Sequence, residues 1–218
     1  MSPRPSSPRR TIAPRPDAER ATVVLFVGLP GGMGAGKSTA LDALQRLGAA
    51  TLSTDAVVHE LYASPELRDL VVARWGEDVA PGGVVDRRAI AKRVFAAPEE
   101  RVWLEGEIWP RVGARIAAWR EEIAVRRPPP AAAVVETPLL FEAGMQGIYD
   151  ATVAVVADEA VRTQRAAERG HVGIDERAAR QLPQEEKARR ATYTVSNSGT
   201  IEQLERELAE VLDRLSIR

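Results

Sequence analysis

The sequence predicts an α/β fold: a doubly wound, five-stranded parallel sheet of the P-loop NTPase type, with an inserted helical lobe and a helical lid. Three observations predict it. A glycine-rich loop stands between an apolar β-branched run, residues 22–28 (TVVLFVG), and a helix-period stretch, residues 39–47 (TALDALQRL). Two later runs, 131–136 (AAAVVE) and 151–157 (ATVAVVA), are continuously apolar, as parallel strands covered on both faces should be. The block between them and the second strand carries helix-period apolar residues and no strong strand signal.

The loop is Gly31-Gly32-Met33-Gly34-Ala35-Gly36-Lys37-Ser38, which fits G-x-x-x-x-G-K-S/T. Glycines let the backbone turn tightly enough for several N–H groups to face one anion. The helix that follows aims its positive end at the same anion. The pattern therefore predicts a bound nucleotide cradled by Gly32, Gly34, Ala35 and Gly36. Lys37 reaches its β- and γ-phosphates, Ser38 holds Mg²⁺, and Thr39 stands near the α-phosphate.

Bulk properties narrow the rest. A chain of 218 residues suits one α/β domain with an insertion, and 44% apolar with 28% charged residues is ordinary for a globular protein. The net charge of -1 argues against a nucleic-acid-coating surface. The absence of cysteine removes disulfides, thiolate metal sites and a cysteine nucleophile, and fits a reducing compartment. No apolar run approaches the ~20 residues of a membrane span. The expectation is a cytoplasmic protein, a monomer or small homo-oligomer, with neither nucleic acid nor membrane as partner.

Residues 1–20 are rich in Pro, Arg and Ser, lack an apolar core, and are expected to be a disordered tail outside the folded domain of residues 21–218. A short second strand at 49–53 (AATLS) delivers Thr54 and Asp55 to the sheet edge where ligands bind. Asp55 is expected to face the transferred phosphate, on a strand beside the P-loop strand. The bland alternative is that Thr54 or Asp55 caps the next helix. Helices are expected at 56–62, from Pro65 to Trp75, at 87–95 and at 99–126, with Pro110 bending the last. They form a lobe over about 61–130 that ends in the stiff linker RRPPP; the core comprises 21–60 and 131–218. Pro138-Leu139-Leu140-Phe141-Glu142 follows the third strand at the ligand edge. Arg162, Arg165 and Arg169 share one face of the helix at 159–169, which opens a lid over about 162–190. A fifth strand at 193–195, a turn at Asn197-Ser198-Gly199 and an amphipathic helix at 201–215 close the chain. Two distant histidines, His59 and His171, without an acidic cluster make no metal site.

From about Val23 to Leu215 the chain resembles the dephospho-CoA kinase family. GGMGAGKS is similar to that family's GGxGSGKS. PLLFE stands unchanged at Pro138 to Glu142, Phe95-Ala96-Ala97-Pro98-Glu99 matches F-x-x-P-E, and Gln181 to Lys187 (QLPQEEK) matches Q-x-P-x-E-E-K. Asn197-Ser198-Gly199 matches N-x-G, and the lid's Q-x-x-R-x-x-x-R is approximated by Gln164, Arg165 and Arg169. Three positions depart. In D-x-D-x-x-x-R, Ser53 replaces the first Asp and His59 the Arg, while the second Asp is kept as Asp55; in H-P, Trp109 replaces the His.

The resemblance implies transfer of the ATP γ-phosphate to the ribose 3′-hydroxyl of dephospho-CoA. Lys37, Asp55 and Arg165 are then the catalytic residues, and Arg165, Arg169 and Asn197 join the loop in holding ATP. Asp55, His59, Pro138, Leu139, Leu140 and Glu142 face the acceptor. Two other readings compete: a nucleoside or nucleotide kinase on the same scaffold, and a non-catalytic nucleotide switch. Against the switch, no N-K-x-D motif occurs and the third strand ends in Glu136-Thr137 rather than Asp-x-x-Gly.

Overall fold

The structure is a computed structural model and describes residues 23–168 and 181–217. The expected tail, Arg169, His171 and the stretch 169–180 of the expected lid lie outside them. Five parallel strands form one sheet: β1 (Phe26–Leu29), β2 (Ala50–Ser53), β3 (Ala133–Glu136), β4 (Ala151–Val156) and β5 (Tyr193–Ser196), in the order β2-β3-β1-β4-β5. Eight α-helices are described: α1 (Lys37–Arg46), α2 (Thr54–Ala63), α3 (Pro65–Trp75), α4 (Arg87–Ala96), α5 (Pro98–Ala124), α6 (Glu159–Glu168), α7 (Gln184–Arg190) and α8 (Ile201–Ser216).

The order corrects one expectation. β2 is not beside β1; β3 lies between them, with Leu29 and Ser53 both in register with Glu136. The β1–α1–β2 crossover leaves a place that β3 fills after the helical lobe. Buried apolar runs mark strands but do not encode which strand each will pair with. The first strand is also shorter than the run 22–28 suggests, because regular pairing with β3 starts only at Phe26.

Alternation along the strands divides the core between two faces. Val27, Leu29, Val134, Val153 and Val155 pack with α1 and α8. Phe26, Ala133, Val135, Leu140 and Tyr149 pack with α2 to α5. Each fully buried Leu, Val or Phe contributes roughly 1.5–3 kcal/mol of hydrophobic stabilisation. In α5, Leu104, Ile108, Val112, Ile116, Trp119 and Ile123 form a buried stripe at helical spacing. Pro110 lies inside α5 without ending it. Local caps set several starts: Ser64 accepts from Leu67 N beside Pro65, and Thr200 with Gln203 makes a full capping box for α8.

Candidate active site

The P-loop is held from behind. Gly36, at φ +81°, is the N-cap of α1, and Gly34 has φ +75°. The Asn197 side-chain amide donates to Ala35 O (2.9 Å) and Gly36 O (3.4 Å). A Cβ on Gly36 would fall 2.0 Å from that nitrogen. Because a trans peptide sets its N–H opposite its C=O, holding these carbonyls turns the Gly36 and Lys37 N–H groups the other way. Arg162 Nε donates to Met33 O (3.0 Å), Arg165 Nη1 donates to Asn197 O (3.1 Å), and a Cβ on Gly34 would meet Arg162 O at 2.6 Å. α6 therefore starts directly against the loop. Lys37 Nζ donates to Gly32 O (3.2 Å), Ala35 is buried, Ser38 is exposed, and Thr39 is half-buried in the first turn of α1.

Asn197 is 2% exposed and its side-chain amide is engaged by the loop carbonyls, so it shapes the cradle from behind.

A cleft of about 960 Å³ runs from Lys37, Ser38 and Arg165 past Asp55 and Glu136 into the helical lobe, where Tyr62, Arg87, Phe95 and Trp109 line it. Asp55 is exposed in the first turn of α2. The N-cap of that helix is Ser53, and no side chain caps it, so the capping alternative for Thr54 and Asp55 does not hold. The Ser53 hydroxyl instead donates to Glu136 Oε2 at 2.6 Å. Pro138 and Leu139 line the cleft.

Three expected acceptor contacts fall elsewhere. Leu140 is fully buried, in the core against Gly28 and Tyr149, because the turn after β3 sends its side chain under the sheet. Glu142 faces Lys187: the two are 2.9 Å apart, and Glu142 Oε1 also accepts from Leu182 N (2.7 Å). His59 is exposed outside the cleft lining, with Nδ1 accepting from Arg87 Nη1 at 3.1 Å, so Arg87 reaches the cleft where His59 does not.

Behind the acceptor turn lies a buried brace. Lys187 is fully buried and its Nζ donates to Pro138 O (2.6 Å) as well as pairing with Glu142. Burial holds the Lys187 ammonium below the usual lysine range, and the Glu142 carboxylate opposes the shift. Gln184 clasps the end of β4 through both side-chain atoms, accepting from Ala157 N (3.1 Å) and donating to Ala157 O (2.9 Å). This is what QLPQEEK builds: Gln184 and Lys187 fix the return of the chain against β4 and the PLLFE turn.

Sequence reasoning missed Glu136 and Arg87 as parts of this region; it set Arg162 on the lid face and Gln184 in the QLPQEEK segment without the contacts they make. Glu136 carried a usable signal, an acid at the C-terminal end of a fully apolar strand. Arg87 carried none, because only the folded lobe brings it to the cleft. Among the described residues no group of three or more His, Asp or Glu side chains could enclose a metal. Ser38 and Glu136 do offer a hydroxyl and a carboxylate on this cleft, which suits a cation shared with a nucleotide.

The dephospho-CoA kinase family profile matches residues 25–203. A Deinococcus radiodurans dephospho-CoA kinase is 39% identical over 195 residues, covering 88% of this chain and 92% of its own. One from Thermus thermophilus is 34% identical over 195 residues, with the same coverage. A crystal structure from Thermus thermophilus superposes with a TM-score of 0.70 at 34% identity, covering 88% of this chain and 98% of its own. The Campylobacter jejuni dephospho-CoA kinase shares the fold at a TM-score of 0.61 and 20% identity. A glycine-rich loop opening onto a cleft, a family profile spanning both and relatives alike over nearly their whole length lead to one conclusion: the chain belongs to the dephospho-CoA kinase family.

Proposed function

We propose that this protein phosphorylates the ribose 3′-hydroxyl of dephospho-CoA with ATP, the last step in making coenzyme A. The observation that carries the reading is the continuous cleft from the P-loop past Asp55 to the Pro138–Leu139 turn and the helical lobe. It connects the phosphate loop with the helical lobe, so an acceptor held there reaches the γ-phosphate. The 3′-oxygen attacks the γ-phosphorus, the bond to the β-phosphate oxygen breaks, and ADP leaves. Asp55 orients the hydroxyl and takes its proton late in the transfer. Lys37 and Arg165 offset the charge on the transferred group, and the N–H groups at the start of α1 hold the phosphates. Ser38 would hold Mg²⁺, which would supply further positive charge at the phosphates. The cysteine-free composition suits a reducing cytoplasm.

The test is ADP release across a panel of acceptors: dephospho-CoA, nucleosides and nucleoside monophosphates. Dephospho-CoA is expected to be used at least 100-fold more efficiently than any other, on the order of what a site shaped for one acceptor achieves. Preference for a nucleoside or nucleotide would overturn the reading.

A further inference from the structure

We infer that Trp109, with Phe95 of the same cleft, stacks on the adenine ring of the acceptor and so selects acceptors that carry a purine. The inference rests on the proposed reading of dephospho-CoA as the acceptor. Trp109 stands where the resembling pattern has a His, so the contact is particular to this chain. It follows Ile108 of the buried α5 stripe, and one step along a helix of 3.6 residues per turn rotates it by about 100°. That rotation takes the indole off the core and sets it on the wall of the cleft.

The other tryptophans have partners within the protein. Trp75 and Trp103 meet edge to face with centroids 5.0 Å apart, Arg74 lies over Trp103, and Trp75 Nε1 donates to Glu100 at 2.8 Å. Trp119 is buried in the α5 stripe. In the cleft, the Arg87 guanidinium lies over the Tyr62 ring, 5.7 Å from its centroid. Trp109 and Phe95 differ from all of these. They line the cleft at 50% and 59% exposure. Among the described residues neither ring has an aromatic or cationic partner, and the Trp109 indole N–H has no acceptor. Two large rings left uncovered in a concave site mark a place where a ligand packs.

The chemistry of the acceptor matches this wall. Adenine offers a flat face for offset stacking and ring nitrogens that accept from an indole N–H. The diphosphate of the acceptor suits Arg87 and Arg101, which line the same lobe; Glu105, 3.9 Å from Arg101, offsets part of that charge. Adenine and the 3′-hydroxyl hang from one ribose, so a base held on the lobe side of a continuous cleft leaves the hydroxyl toward Asp55. The pantetheine arm, a flexible chain of amides and methylenes, has no such flat face. Trp109 is therefore a specificity-determining residue for the base, remote from the transferred phosphate.

Titrations with dephospho-CoA, and with pantetheine 4′-phosphate as the same molecule without its adenylate half, test this. Trp109→Leu removes the ring and keeps an apolar side chain; Trp109→Phe keeps a ring. Trp109→Leu is expected to lower affinity for dephospho-CoA about tenfold or more and to raise its KM to match, with kcat within about threefold. Trp109→Phe should stay within a few-fold of the parent protein, and affinity for pantetheine 4′-phosphate should be unchanged in both. Unchanged dephospho-CoA affinity in Trp109→Leu, an equal loss in Trp109→Phe, or an equal loss for pantetheine 4′-phosphate overturns the inference. If Trp109→Leu does not fold, the indole fluorescence of the parent protein decides. Quenching by dephospho-CoA and not by pantetheine 4′-phosphate supports the inference, and any other pattern overturns it. Preference for a different acceptor in the ADP-release panel would overturn the proposed function and leave these titrations readable. Loss of the stacking effect would leave a preference for dephospho-CoA standing.

Discussion

Asp55 has a carboxylate at the cleft and no capping duty on α2, since no side chain caps that helix. Asn preserves size and polarity but cannot accept the proton. Asp55→Asn is therefore expected to lower kcat on the order of 10²-fold or more, with ATP affinity by titration within a few-fold. Full activity would return Asp55 to a surface role. Asn197 presents the opposite case, a buried amide whose partners are loop carbonyls. Asn197→Ala should destabilise the protein by about 1–3 kcal/mol in chemical denaturation and weaken ATP binding, because the carbonyls of Ala35 and Gly36 lose a buried donor. Unchanged ATP affinity would detach Asn197 from the cradle. The position of both residues after a strand was legible in the sequence. That Asn197 turns back behind the loop was not, since the contact joins residues 162 apart in the chain.

Among the elements, α7 and the PLLFE turn are joined by the Lys187–Glu142 pair. Removing one partner of a buried pair strands the other charge, so Lys187→Met should cost about 3–5 kcal/mol. The double variant Lys187→Met with Glu142→Leu is expected to recover most of that loss; a double variant no more stable than the single one would contradict the brace. Its pH dependence has a definite sign. Lys187 is held below its ordinary 10.5 by burial, so between the lowered value and 10.5 the unfolded chain binds more protons than the folded one. This group's contribution therefore makes stability rise with pH through that window, and the rise should disappear in Lys187→Met. The helices themselves were legible from their apolar period, as in the α5 stripe, and from Pro65 at the start of α3. The direction of each side chain in PLLFE was not. The segment is a turn with neither helical nor strand period, and only the fold sends Leu139 to the cleft and Leu140 to the core.

For the whole molecule, the sheet order β2-β3-β1-β4-β5 brings Lys37, Glu136 and Asp55 to one edge. The strands could be read from their apolar runs, but their order could not, because it depends on long-range pairing across the helical lobe. That is why Glu136 escaped notice while Asp55 did not. Lys37 is half-buried at the start of α1 and outside both hydrophobic cores, so Lys37→Ala should abolish phosphoryl transfer while leaving the melting temperature within a few degrees. Turnover near that of the parent protein would sink the P-loop assignment.

The most direct test of the account is the identity of the product formed from ATP and dephospho-CoA, followed by ³¹P NMR and mass spectrometry. The account predicts one new phosphomonoester on the ribose 3′-oxygen, one ADP released for each, and none of either with Lys37→Ala. ADP release without that phosphomonoester, or a phosphate placed on another hydroxyl, would contradict it.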